Sequence, residues 1–167
     1  MLMKLSPMVV VAFSLFASQE SIAQVVVPQT GQVAEISQSV FGIGLYGGAA
    51  TGVGLSFRHH LPMHMSYQVT GGVIKADERL MYAVGGEIQY DLIRTTDSRV
   101  FAVGGGGYYY SGIDHNEMSA PGRAGLGVGG EIEIYSGFHL IGEALFTYFT
   151  DGTILPLPQG GFFYYFR

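Results

Sequence analysis

GRAGLGVGGEIEIYSGFHLIGEALFTYF, residues Gly122 to Phe149, decides how this chain folds. In its first half Ala124, Leu126, Val128, Ile132 and Ile134 fall on one parity. The other parity carries Gly125, Gly127, Gly129, Glu131 and Glu133. Alternation with a period of two marks a strand, because successive side chains point to opposite faces. Ser136-Gly137 makes a two-residue turn, and the pattern resumes. Phe138, Leu140, Ala144, Phe146 and Tyr148 share one face, opposite His139, Glu143 and Thr147. The stretch is a hairpin with one bulky greasy face and one small or ionic face.

The same texture runs outward from this hairpin. Eight alternating segments are expected as strands: Val40–Gly47, Thr51–His59, Met65–Ile74, Arg79–Leu92, Arg99–Tyr110, Gly122–Tyr135, Phe138–Phe149 and Gln159–Phe166. In Arg79–Leu92, for example, Leu80, Tyr82, Val84, Ile88 and Tyr90 oppose Ala83, Gly85, Glu87, Gln89 and Asp91. The links are short, with Ser111–Pro121 and Thr150–Pro158 the longest. Short links imply antiparallel neighbours in sequence order, an up-and-down meander. No segment of helical period stands out.

The two faces then need an inside and an outside. Eight strands close around a space just wide enough for side chains. Large aromatics from every strand would overfill it, whereas glycine, alanine, serine and a few charges fit. The glycine-and-glutamate face is therefore expected inside, and the aromatic face outside. Such an exterior dissolves only in lipid, and the segments have the roughly 9–11 residues of a tilted membrane strand. A closed barrel also leaves no backbone edge unpaired in hydrocarbon. The competing reading is a soluble lipocalin-like barrel with its greasy face inward, binding an apolar ligand. Its glycine strings, Val103–Tyr110 and Gly125–Gly130, would pack poorly.

Composition supports an envelope protein. The chain has 167 residues, 26 glycines, 11 tyrosines, 11 phenylalanines and no cysteine. The net charge is −5 with only 8 Lys plus Arg, so no nucleic-acid partner is expected. Without cysteine there is neither a disulfide scaffold nor a lipid-modified N-terminal cysteine. Lys4, the apolar run Met8–Ala17 and Ser21-Ile22-Ala23 have the layout of a secretory signal peptide. The expected organisation is a signal peptide over 1–23, an extension over 24–39 and a barrel over 40–167.

The Gly122–Phe149 hairpin and the terminal Gly160–Phe166, "GGFFYYF", resemble the last strands of small eight-stranded bacterial outer-membrane barrels, the OmpA/OmpX-like group. The likeness spans roughly Val40 to Arg167. It implies an integral outer-membrane protein with both termini on the periplasmic side. The links at Gly48–Ala50, Lys75–Glu78, Ser111–Pro121 and Thr150–Pro158 would then lie outside. It also implies that Phe162, Tyr164 and Phe166 form the signal read by the barrel-assembly machinery. The family commonly ends on Phe, whereas this chain adds Arg167.

Chemistry-bearing residues remain. Arg58, Arg79, Glu87, Arg123, Glu131, Glu133, His139 and Glu143 are expected to share the lumen as a salt-bridged plug rather than a proton or cation path. Asp114, His115, Asn116, Glu117 and Met118 form the loop tip best placed to touch a partner. His59, His60 and His64 cluster around a proline turn, but one turn supplies poor convergence for a metal. A lipid A-modifying enzyme would place His115 or His139 in its chemistry. The deacylase-type barrels of this group carry a His-x-Ser-Asn signature, where this chain reads His139-Leu140-Ile141-Gly142. The Val103–Tyr110 glycines lack the Lys-Ser/Thr ending of a phosphate loop. No enzyme activity, metal or cofactor is expected, and lipid is the expected surrounding of a monomer.

Overall fold

A computed structural model describes residues 39–166. The expected signal peptide and most of the 24–39 extension lie outside the described residues, as does Arg167. The strands are β1 (Val40–Gly48), β2 (Gly52–His60), β3 (Met65–Ala76), β4 (Arg79–Arg94), β5 (Ser98–Gly112), β6 (Gly122–Tyr135), β7 (Phe138–Phe149) and β8 (Ile154–Phe166). Each pairs antiparallel with its sequence neighbour, and β8 returns to β1 from Phe41↔Phe166 to Gly47↔Gly160. The chain is a closed, eight-stranded, up-and-down barrel.

Its polarity is inside out. Leu126 and Phe146 are 72% and 67% exposed, and Ile132 is half exposed, while Glu131, Glu143 and Arg58 are buried inside. The exterior is also layered. Ile43, Leu55, Val69, Val84, Ile88 and Val128 make an aliphatic waist. Toward the end carrying the termini, Phe41 stacks on His59 at 4.1 Å, and Phe57, Tyr67, Phe138, Tyr164 and Phe166 continue a ring of aromatics. Toward the opposite end, Tyr82 stacks on Tyr110 at 4.9 Å and neighbours Tyr108. An apolar band between two aromatic girdles is the surface of a transmembrane barrel. A soluble lipocalin-like barrel has the reverse polarity.

Two expectations need correction. The lumen is not free of bulk: Tyr46, Phe101, Tyr109, Leu145, Phe163 and Tyr165 are buried there. Glycine on the same face makes the room. A Cβ on Gly129 would sit 2.7 Å from the Phe101 ring, and one on Gly42 would sit 2.6 Å from Tyr165. The five-ring run near the end therefore splits, with Phe163 and Tyr165 inward and the other three outward.

The last link is also shorter than expected, because β8 begins at Ile154 and includes Pro156 and Pro158. These pair with Phe146 and Ala144 of β7, while the β1 pairing stops at Gly160. The other edge of residues 154–159 has no strand beside it, so the missing proline N–H groups cost no ladder bond.

Strand lengths make the rim uneven. β1 and β2 have 9 residues each, while β4 has 16 and β5 has 15. The wall is low at the β1–β2 hairpin and tall at β3–β5. Beyond Leu55↔Gly71, β3 has no β2 partner.

Candidate functional site

The lumen holds the polar chemistry, and its alternating strands deliver it in layers. β2 contributes Ser56 and Arg58, β3 Ser66, Gln68 and Thr70, and β4 Glu87, Gln89 and Asp91. Arg99 comes from β5, Glu131 from β6 and Glu143 from β7. Each lies on the parity facing the axis.

Arg58 is the hub, fully buried. Its Nη1 donates to Glu131 Oε2 at 3.1 Å and its Nη2 to Glu87 Oε1 at 3.3 Å, with Glu143 Oε1 at 3.7 Å. Nε and Nη2 both donate to Gln68 Oε1. The guanidinium lies over the Phe163 ring, 4.5 Å from its centroid. Arg99 is a second hub toward the terminal end. It donates to Glu131 Oε2 at 2.7 Å, Asp91 Oδ1 at 2.7 Å and Gln89 Oε1 at 2.6 Å. Arg94 closes the layer on Asp91 Oδ2 at 2.9 Å. Glu87 and Glu143 share donors: Gln89 Nε2 reaches both, and Tyr46 Oη reaches Glu143 Oε2 at 2.6 Å. Burial of these charges is tolerable because each is met by several partners.

Above this layer lies a second plug that the sequence did not announce. The β1–β2 turn folds into the barrel, leaving Ala50 and Thr51 wholly buried. Tyr109 Oη donates to Gly48 O and accepts from Gly52 N at 2.9 Å. Arg123 Nη1 donates to Ala49 O at 3.0 Å, and its guanidinium lies 4.0 Å from the Tyr109 centroid. Gln159 Nε2 bridges Thr51 and Glu143. Glycines receive the turn: a Cβ on Gly85 would meet Thr51 backbone at 2.5 Å, and one on Gly107 would meet Ala50 O at 2.8 Å. Positive φ at Gly52 (106°) and Gly54 (136°) steers the chain inward. The expectation that this link simply faces outside is corrected.

At the terminal end a polar vestibule of about 110 Å³ is lined by His60, Arg94, Arg99, Glu131, His139 and Tyr165. His60 is buried there, with no hydrogen-bond partner for Nδ1. His139 Nδ1 meets Glu131 Oε1 at 3.0 Å.

No protein-family profile matches the chain, and no curated protein matches it. A solved structure of the Yersinia pestis outer membrane protein Ail, in a phospholipid bilayer nanodisc, is similar at 12% identity, covering 78% of this chain and 99% of that one, with a TM-score of 0.44.

Of the residues expected in the lumen, Arg58, Glu87, Glu131 and Glu143 meet in one network, and His139 joins it from the mouth. Glu133 is nearer the rim, where its Oε1 accepts from Gly137 N at 2.8 Å and braces the β6–β7 turn. Arg123 serves the turn plug instead. Arg79 is a correction: it is about half exposed at the β3–β4 end and pairs with Glu117 at 2.7 Å. It lies beyond the low β1–β2 hairpin, where the axis is no longer enclosed.

Arg99, Asp91, Gln68 and Gln89 were missed as members. Gln89 and Asp91 share Glu87's parity on β4, which was the available signal; Gln68 is brought in by the register opposite Arg58, and Arg99 by its contacts from β5. In the long loop, Asn116 is an organiser: Oδ1 accepts from Ser111 N and Met118 N, and Nδ2 donates to Tyr109 O. Asp114 and His115 are exposed, and Met118 is half-buried. His59 points outward and His60 inward, so the histidines cannot converge. Among the described residues no group of three metal-ligating side chains occurs.

Proposed function

We propose that the chain is an integral protein of the bacterial outer membrane whose barrel is a sealed anchor, and whose task is carried at its loop end. The observation that carries this reading is the doubly plugged lumen inside a lipid-facing wall. Arg58 and its carboxylates block one level, and the inward β1–β2 turn blocks the next. A lumen so filled leaves no aqueous route for a general porin.

The remaining surface for a task is the loop end. There the nine-residue link between β5 and β6 is pinned by Asn116 and by Arg79–Glu117, presenting Asp114 and His115 to solvent. A rigid loop on a rigid scaffold is the usual place for recognition. In this reading the loop end faces outside and both ends of the barrel domain face the periplasm. Export proceeds through the 1–23 signal, and Phe162, Tyr164 and Phe166, all outward on β8, present the assembly signal. The protein is a non-enzymatic monomer: His139 is engaged by a carboxylate, and His115 stands on an open loop.

Carbonate-washed membranes and heat-modifiable migration test the anchor. Recovery in the soluble fraction would reject it. Mass analysis of lipid A from cells with and without the protein tests the non-enzymatic part, and an altered acyl pattern lost in His115→Ala or His139→Ala would reject that part.

A further inference from the structure

The inner face of the barrel changes character with height. On β3 the inward positions run Ser66, Gln68, Thr70, Gly72 and then Ile74. On β4 they run Asp91, Gln89, Glu87, Gly85, Ala83 and then Met81. Polar groups line the axis below the inward turn, aliphatic Ile74 and Met81 stand just above it, and Arg79 follows at the rim. An inner wall facing water at the rim has no reason to be apolar, yet Ile74 is 63% exposed.

The wall opposite is missing at this height. β2 turns inward at Gly54 and Gly52, and β3 has no strand partner on that side past Gly71. The gap opens a cleft of about 440 Å³, within the roughly 300–1,000 Å³ of small-molecule sites. Its lining combines inward Ile74 and Met81 and the loop residue Met118 with outward Val53, Tyr82 and Tyr110. The cleft is thus continuous with the lipid-facing exterior and opens sideways. β1 and β2, nine residues each, are just long enough to span the hydrocarbon, so the top of their hairpin marks the upper margin of the bilayer core. Lys75 stands on the outward face of the β3–β4 arm, one residue beyond Ile74.

We propose that this cleft is a lateral binding site for one hydrocarbon chain of a membrane lipid. The chain enters over the β1–β2 hairpin and lies against Ile74, Met81 and Met118, and the headgroup phosphate meets Lys75. Apolar surface removed from water drives entry, and the Lys75 ammonium fixes the direction. The proposal rests on the membrane reading above, and its test separates the two.

The chain contains no tryptophan, so a single introduced indole reports without background. Ile88→Trp places it on the outer waist, and Met81→Trp places it in the cleft. Each full-length variant is refolded into phosphatidylcholine vesicles, with and without bromine on the acyl chains. Bromine should quench both, with comparable losses, and aqueous iodide should quench neither. Ile74→Trp repeats the measurement should Met81→Trp fail to fold. Quenching of Ile88→Trp alone overturns the cleft proposal and leaves the anchor standing. So does iodide quenching in the cleft, which would mean water there, or shielding from both agents, which would mean closure by protein. An unquenched Ile88→Trp overturns the membrane reading and the proposal together.

Discussion

Arg58 shows how one residue can govern a lumen. Its five donors reach three carboxylates and an amide, with an aromatic ring beneath. Replacing it with Ala leaves buried Glu87 and Glu143 facing one another without its charge, while Glu131 keeps Arg99. The loss should be about 3–5 kcal/mol, the cost of breaking a buried pair from one side. Arg58→Lys should recover only part of it, because an ammonium cannot fork between partners. Urea titration of the refolded barrel in lipid vesicles measures both, and an Arg58→Ala barrel as stable as wild type would refute the network's importance. Gly85 gives a complementary prediction. A Val there would collide with the Thr51 backbone, so overpacking should cost about 1–3 kcal/mol. Gly142→Ala meets nothing within 4 Å and should stay within about 0.5 kcal/mol in the same titration.

At the scale of elements, β8 explains both a strength and a limit of sequence reading. Its last eight residues, Gln159–Phe166, were legible from alternation alone, and Gly160–Phe166 of them close the barrel. Its first five were not, because Pro156 and Pro158 look like loop. Only the shortness of β1 turns that edge into one needing no donors, and that is a relation between distant strands. The same kind of relation hid the inward turn. Gly48 to Gly52 looks like any tight link until the glycines of β4, β5 and β6 are seen lining the space it fills. The hairpin Gly122–Phe149 was legible throughout because its two faces are decided locally. The prolines carry their own prediction. They deny N–H groups to an edge bordered by exposed Ile154 and Leu155. Pro156→Thr together with Pro158→Thr restores a pairing edge, which natural sheets avoid leaving open. Sedimentation of the detergent-solubilised double variant should show self-association where wild type stays monodisperse, and unchanged sedimentation would mean the prolines guard nothing.

For the whole molecule, the decisive property is that two obstructions lie in series along one axis. The ionic and aromatic layer spans Arg58, Glu131, Phe101 and Phe163, and the turn held by Tyr109, Arg123 and Gln159 sits above it. Resistances in series are set by the larger one, so relieving either obstruction alone leaves the other closed. Wild type should therefore show no conductance steps in a planar bilayer. Tyr109→Ala with Gln159→Ala, which frees the turn, should also remain silent. So should Phe101→Ala with Phe163→Ala, because the inward turn still closes the lumen above. Only the variant combining all four changes should pass ions. Steps from the freed-turn variant alone would show that the ionic layer is permeable and that the turn is the real stopper. Silence in the combined variant that still folds and migrates as a heat-modifiable barrel would show that side chains collapse to refill an eight-stranded lumen. In that case the seal belongs to the barrel's diameter and not to either plug.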